Sequence, residues 1–312
     1  MSTAPSRVAI LLASFTGERF LRRQLDSLLA QTHRDWSLFV SDDGSTDRTR
    51  TIIEAFAAEI GPARVKIFDG PRQGFVANFL SLICRDEIDA DYFAYCDQDD
   101  EWHADKLARA LAALEASPAA GHPARLYGGR SCLVDESGSK LGRSRKMTVA
   151  LGFSHALVQS YAGANTMVFN AAARDLLRGY GVVAGVASHD WWTYQVVSGA
   201  GGRIIYDPVP AVDYRQHNDN LRGHNRGFMA RFDRLGELLA GRLRIWNQCH
   251  LAALSRHAEL LTPANREILA LFRTAADGRG MKALAAFRRS GARRLRSVDN
   301  VALGLCALLG KL

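Results

Sequence analysis

The hydrophobic positions change period repeatedly over the first hundred residues. Short β-branched or aromatic runs alternate with stretches whose apolar residues recur at helical spacing, which is how a mostly parallel sheet covered by helices reads. Strands are predicted over 8–13, 36–41, 64–68 and 92–96. Helices are predicted over 20–29, where Phe20, Leu21, Leu25, Leu28 and Leu29 share a face, and over 50–59, 74–84 and 105–116. Ser45 or Thr46 with Asp47 supplies a cap for the second helix. The apolar run 8–12 follows Arg7, but it is too short for a leader and meets Glu18-Arg19 before any small-residue cleavage site, so a strand is expected there. No stretch reaches the roughly 20 apolar residues that span a bilayer.

Beyond a Pro/Gly/Ala connection at 117–124, a strand is expected over 125–134, a turn at 136–139 and a basic loop at 140–146. A further strand follows at 164–169 and a helix at 171–178. From about Gly227 the strand signals stop, and Phe228, Phe232, Leu235, Leu238, Leu239 and Leu243 fall at helical spacing among arginines. This pattern divides the chain into a unit over 1–225, with halves 1–118 and 119–225, and a helical extension over 226–312.

Charge sharpens that division. The net charge is +8, yet residues 222–312 carry 17 Lys/Arg against 6 Asp/Glu, a net of +11 that leaves about −3 for the rest. The five cysteines are widely spaced and contain no C-x-x-C pair, so neither a disulfide framework nor a zinc cage is expected and a reducing, cytoplasmic setting fits.

The polar residues gather where each strand ends: Ser14-Thr16-Gly17, Asp42-Asp43-Gly44, Gly70-Gln73-Gly74 and Asp97-Gln98-Asp99-Asp100. Ligands of open α/β sheets bind outside the carboxyl ends of the strands, so these loops are expected to line one nucleotide crevice. Four acids within five positions, Asp97, Asp99, Asp100 and Glu101, repel one another unless a cation compensates. Mg²⁺ or Mn²⁺ suits carboxylate oxygens and keeps positions open for phosphate oxygens; a solvated acidic turn capping the next helix is the plainer alternative. Asp42 and Asp43 can accept hydrogen bonds from a base or ribose, and neither is needed for the cap.

Residues 10–18 (ILLASFTGE), 41–47 (SDDGSTD) and 96–102 (CDQDDEW), in that order and spacing, resemble the family-2 inverting glycosyltransferases, and most closely the bacterial rhamnosyltransferase-like members. The resemblance spans about residues 6–225 and implies a GT-A-type, Rossmann-like catalytic domain that uses a nucleotide-diphospho-sugar, dTDP- or UDP-linked. It implies that Ala13, Ser14 and Glu18 line the nucleotide pocket, that Asp42 and Asp43 hold base and ribose, and that Asp97 with Asp99 forms the D-x-D pair on donor and metal. Gln98 joins the donor set, and the loop 72–78 brings Arg72 and Asn78 to the nucleotide. Thr16 stands where relatives carry asparagine.

Ser188-His189-Asp190 matches the family's catalytic dipeptide, usually Glu-Asp, with histidine in place of glutamate. Asp190 is then the base for the acceptor hydroxyl; a helix cap is its structural alternative. Trp191 and Trp192 offer apolar faces to a sugar or to the core, and Asp100 and Trp102 are expected on the acceptor or diphosphate side. Residues 214–220 resemble the family's closing motif, with His217 a second metal ligand beside Asp99 and Arg215 a diphosphate contact.

The resemblance implies an inverting enzyme moving a sugar, with rhamnose one candidate, to a saccharide or lipid-linked acceptor in cell-surface polysaccharide synthesis. A nicotinamide dehydrogenase would need G-x-G-x-x-G after the first strand, and a phosphate-loop NTPase G-x-x-x-x-G-K-[ST]; neither is present. A metal-dependent nucleotidyltransferase shares the acids but needs no Asp190. The basic tail interleaves Arg with Leu and Ala rather than with base-reading groups, so a peripheral contact with the inner face of the cell membrane, or a homodimer contact, is expected rather than nucleic acid.

Overall fold

The computed structural model describes residues 6–117, 122–217 and 242–312. The expected boundary at 222–227, the helical spacing of Phe228 to Leu239 and half of the connection at 117–124 lie outside the described residues.

The alternation is realised as β1 (Val8–Ser14), α1 (Leu21–Leu29), β2 (Trp36–Asp42), α2 (Thr49–Ile60), β3 (Val65–Asp69), α3 (Phe75–Cys84) and β4 (Tyr92–Cys96). Next come β5 (Glu101–Trp102), α4 (Lys106–Ala116), β6 (Arg125–Gly129), β7 (Cys132–Val134), β8 (Lys140–Arg143), α5 (Phe153–Ala156), β9 (Val168–Asn170) and α6 (Ala171–Tyr180). The described chain closes with α7 (His189–Gly199), β10 (Arg203–Asp207), β11 (Val212–Arg215), α8 (Arg242–Arg256), α9 (Pro263–Asp277), α10 (Gly280–Arg289) and α11 (Ser297–Leu309).

A seven-stranded sheet has the order β10-β6-β9-β4-β1-β2-β3, with β9 antiparallel to both neighbours and the other pairs parallel. Every residue of β1 is buried, as expected for a central parallel strand covered on both faces. The chain leaves β1 toward β2 and β3, then returns to place β4 on the other side of β1. The order therefore reverses between β1 and β4, and it is outside the carboxyl ends at such a reversal that open α/β sheets bind their ligands. A smaller sheet, β5-β11-β7-β8, gathers short segments.

Three expectations change. Residues 125–134 form two strands in different sheets, β6 and β7, separated at Arg130-Ser131. The basic segment after the turn is strand β8, exposed throughout, and pairs with β7. Residues 164–166 form a 3₁₀ turn, so β9 begins only at Val168.

Packing divides the chain into two compact units. The first comprises residues to Lys146 with Ala162–Val182 and Gly202–His217; the second comprises Met147–Tyr161, Val183–Gly201 and the C-terminal helices. The division is thus discontinuous in sequence, unlike the single cut expected near 225. Its physical reason lies in α7, all of whose residues are buried. A helix buried on every side, its polar residues His189, Asp190, Thr193, Gln195 and Ser198 included, needs cover all round, and within the second unit α5, His250 of α8 and Leu261 lie against it.

Candidate functional site

The carboxyl ends of β1, β2 and β4 are tied together by side chains acting on backbone. Asp42, the last residue of β2, accepts from the Ser14 hydroxyl at 3.1 Å and the Ser45 hydroxyl at 2.5 Å. Asp43 accepts from the backbone N–H groups of Arg72 at 2.6 Å and Gly74 at 2.9 Å. These bonds fold the β3–α3 loop onto the end of β2. Gly44, at φ +95°, has the conformation that glycine adopts without strain, and a Cβ there would lie 3.2 Å from Arg72 Nε. Arg72 itself is exposed, with φ +56°.

Gln98 closes the gap between β4 and β1. Its carbonyl oxygen accepts from Phe15 N–H and its amide donates to Phe15 C=O, both at 2.9 Å. The acids flanking it, Asp97 and Asp99, are part-exposed. Asp99 Oδ2 lies 2.8 Å from His217 Nε2, and the His217 ring rests against Phe20 with centroids 5.3 Å apart. The end of β11 is thereby joined to the acid-bearing loop. Glu18 is exposed and accepts from Arg48 N–H at 2.9 Å.

Asp100 behaves differently from its neighbours. It is wholly buried and accepts from Asn165 at 2.5 Å and from Arg215 N–H at 3.0 Å. Burial, and then the charges of Asp99 and Asp97, push its carboxyl well above the usual range. Arg215 is also wholly buried: it donates to the carbonyls of Asp99, Asp135 and Glu136, pairs with Glu101 and lies 5.0 Å over the Phe20 ring. Lys106 is buried over the Trp102 ring, its ammonium 3.4 Å from the centroid, and burial lowers its pKa to about 7. Trp102 packs in the core of the first unit.

In the second unit, Asp190 stands in the first turn of α7, where Ser188 occupies the cap position without a side-chain bond. Asp190 is buried and stands two residues inside the helix, so the cap position expected for it as a structural alternative belongs to Ser188. A carboxylate in a first turn gains from the helix dipole. Trp191 donates to Ala156 C=O at 2.5 Å and meets the His250 ring edge-on, and Trp192 is wholly buried beside the same ring.

Several expected direct contacts are therefore corrected. Asp100, Trp102, Trp191, Trp192 and Arg215, expected at the acceptor or diphosphate, are all buried. Burial alone does not set them apart, since Ser14, Asp42, Asp43 and Asp190 are buried too; but Asp100 and Arg215 are committed to partners within the first unit, and Trp191 and Trp192 pack within the second. Asn78 is buried as well and donates to Ser41 C=O at 2.9 Å, and the amide of Gln98 is occupied by Phe15. Ala13, Ser14, Glu18, Asp42, Asp43, Arg72, Asp97, Asp99 and His217 do gather at the ends of β1, β2, β4 and β11 and the loops beside them. Sequence reading missed Ser45, Asn165, Phe20 and Lys106. Of these only Ser45 lay within a recognised motif, and a lysine opening a helix ordinarily reads as solvated.

The chain matches the family model "Glycosyl transferase family 2" over residues 9–170, just over half its length. It is 28% identical over 236 residues to the dTDP-rhamnosyl transferase RfbG of Shigella flexneri, covering 72% of this chain and 78% of that protein. Among solved structures it resembles the mannosyltransferase PcManGT from Pyrobaculum calidifontis in complex with GDP-Man and Mn²⁺. That likeness has a TM-score of 0.54 at 20% identity and covers 99% of this chain and 86% of that one. It also resembles residues 1–349 of S. aureus TarS in complex with UDP-GlcNAc, with a TM-score of 0.52 at 14% identity, covering 91% and 90%. These two likenesses establish the α/β fold with its C-terminal helices.

Proposed function

The chain belongs to glycosyl transferase family 2, and from that premise we propose that it moves a sugar from a dTDP- or UDP-linked donor to a hydroxyl of a saccharide or lipid-linked acceptor in cell-surface polysaccharide synthesis. Rhamnose is the favoured sugar, given the likeness to a dTDP-rhamnosyl transferase over most of both chains. The observation that carries the reading is the convergence of Ser14, Asp42, Asp43, Asp97 and Asp99 at the ends of β1, β2 and β4, where the strand order reverses.

In this reading Asp42 and Asp43 order the base- and ribose-binding turn, with Ala13, Ser14, Glu18 and Arg72 around it. Asp97, Asp99 and His217 suit a hard divalent cation: two part-exposed carboxylates and an imidazole already 2.8 Å from one of them are an oxygen-rich donor set. Mg²⁺ or Mn²⁺ held there supplies positive charge to the diphosphate leaving group. Asp190 takes the proton of the acceptor hydroxyl as its oxygen bonds to the anomeric carbon. The bond from that carbon to the diphosphate breaks with its electron pair leaving on the diphosphate, so configuration inverts. The test is a panel of nucleotide-sugars with Mn²⁺ or Mg²⁺, read by thermal stabilisation and by nucleotide-diphosphate release. Stabilisation by one dTDP- or UDP-sugar, lost with chelator, is expected. If no nucleotide-sugar stabilises the protein or is turned over, the reading fails.

The features of α11 support a membrane-bound acceptor. No described helix is long and apolar enough to cross a membrane, yet Val298, Val301, Leu305 and Leu309 are exposed. At about 100° per residue they fall within an arc of about 80°. Leu303, Cys306 and Ala307 are buried on the other side. From residue 280 onward the chain has seven Lys/Arg and one acid, Asp299. An apolar stripe among cations fits an anionic bilayer surface, where a lipid-linked acceptor resides.

A further inference from the structure

The geometry points to a second metal site, distinct from the acids after β4, in which His103, Cys132 and Asp213 bind a borderline-soft divalent ion of the Zn²⁺ class. One donor atom from each of the three lies within 4.8 Å of the others, the one such trio of His, Cys, Asp or Glu among the described residues. A tetrahedral ion with bonds of about 2.0–2.3 Å sets its donors about 3.3–3.8 Å apart, so only a small contraction is needed.

The scaffold is rigid because two donors lie on different strands of the small sheet and the third directly follows another. His103 directly follows β5, Cys132 opens β7, and Asp213 lies on β11 between them. Asp213 is paired with Glu101 across the antiparallel ladder and with Cys132 across the parallel one. His103 N–H donates to Ala211 C=O at 3.0 Å, which fixes the histidine backbone to the strand that carries Asp213. The His103 Nε2 and Asp213 Oδ1 atoms are already 2.9 Å apart.

The chemistry of the set selects the ion. Imidazole and thiolate favour zinc-like ions over Mg²⁺, whereas the oxygen-rich set of Asp97 and Asp99 has the opposite preference. Three protein ligands leave a fourth position. His103 and Asp213 line a cavity of about 520 Å³, together with Arg23, Asp26, Ser27 and Glu101. Cys132 is buried behind them while the other two are about one-third exposed, so an ion can enter from the cavity and its fourth position faces it. The pattern escaped sequence reading because the three residues are 29 and 81 positions apart (132 − 103 and 213 − 132) and share no motif.

Co²⁺, which takes the same sites and is coloured, is the direct probe. Metal-stripped full-length protein titrated with Co²⁺ is expected to show a thiolate-to-cobalt charge-transfer band that saturates at one equivalent and is displaced by Zn²⁺. Cys132→Ser should abolish the band, and Asp99→Asn should keep it. Loss of a supporting partner alone weakens metal binding by about 10–100-fold, so loss of a direct ligand in His103→Ala should weaken Zn²⁺ binding by more than about 100-fold. Far-UV circular dichroism of the metal-free variants establishes that each is folded, and if Cys132→Ser does not fold, the loss of Zn²⁺ affinity in a folded His103→Ala carries the test. Absence of a thiolate band in the wild type, its persistence in folded Cys132→Ser, or unchanged Zn²⁺ affinity in folded His103→Ala overturns the site.

Discussion

Asp99→Asn keeps the size of the side chain and removes its charge. Within the proposed function this takes a ligand from the cation, and kcat/KM should fall on the order of 10²-fold or more, about 2.7 kcal/mol of transition-state stabilisation. Turnover of the wild type that survives chelator would refute the metal role directly. Asp190→Asn tests a different kind of contribution. Asp190 is not at the cap position of its helix, and within the proposed function donor affinity should stay nearly constant while kcat falls steeply, since a base matters mainly in the transition state. Parallel loss of donor affinity and rate would assign Asp190 a structural part instead. At this scale the motifs revealed which residues gather but not which of them face a ligand. Asp97, Asp99 and Asp100 look equivalent along the chain, yet Asp100 alone is sealed between Asn165 and Arg215.

The element that begins with Lys106 carries an internal stress. The first residue of α4 is wholly buried, with an aromatic face at its ammonium and a pKa lowered to about 7. The folded state therefore releases this proton near pH 7, while the unfolded chain keeps it to about pH 10.4. Between those values the unfolded state binds more protons, so stability rises with pH; below pH 7 both states are protonated and the penalty is full and constant. Lys106→Met should raise stability at pH 6 by about 1–4 kcal/mol, as replacement of buried charges by apolar groups can. It should also flatten the rise between pH 7 and 10 that the wild type shows in urea denaturation. An unchanged pH profile would mean that Lys106 is not the group responsible. The burial itself was illegible in the sequence, because a lysine opening an amphipathic helix is ordinarily on its wet face.

For the whole molecule, the exposed stripe on α11 and the excess of arginine predict reversible docking. Each cation near an anionic surface adds about 1 kcal/mol, weakening with salt. In a flotation assay the protein should bind vesicles rich in anionic lipid at low salt and leave them at high salt. Replacing Val301 and Leu305 together by Ser should greatly reduce binding while leaving the melting temperature nearly unchanged, since both side chains are already exposed. Failure to float at low salt would reassign the stripe to contact with a second copy of the chain, which sedimentation would detect.

The positions of the first four strands along the chain and the clustering of acids at their ends were set by local pattern. Apolar runs of strand length such as 8–13 can only be buried, and Asp42-Asp43 and Asp97-Gln98-Asp99 follow such runs immediately. The basic, helical character of the C-terminal end was equally a property of composition. Tertiary packing decided what no local pattern encodes. It placed residues 125–134 in two sheets, grouped α5 and α7 with the C-terminal helices because a helix buried on all sides needs cover from elsewhere in the chain, and turned Arg215, Trp102 and Trp192 inward. It also brought His103, Cys132 and Asp213 together across three strands. Periodicity reports which face of an element avoids water; only the pairing of distant elements determines what that face meets.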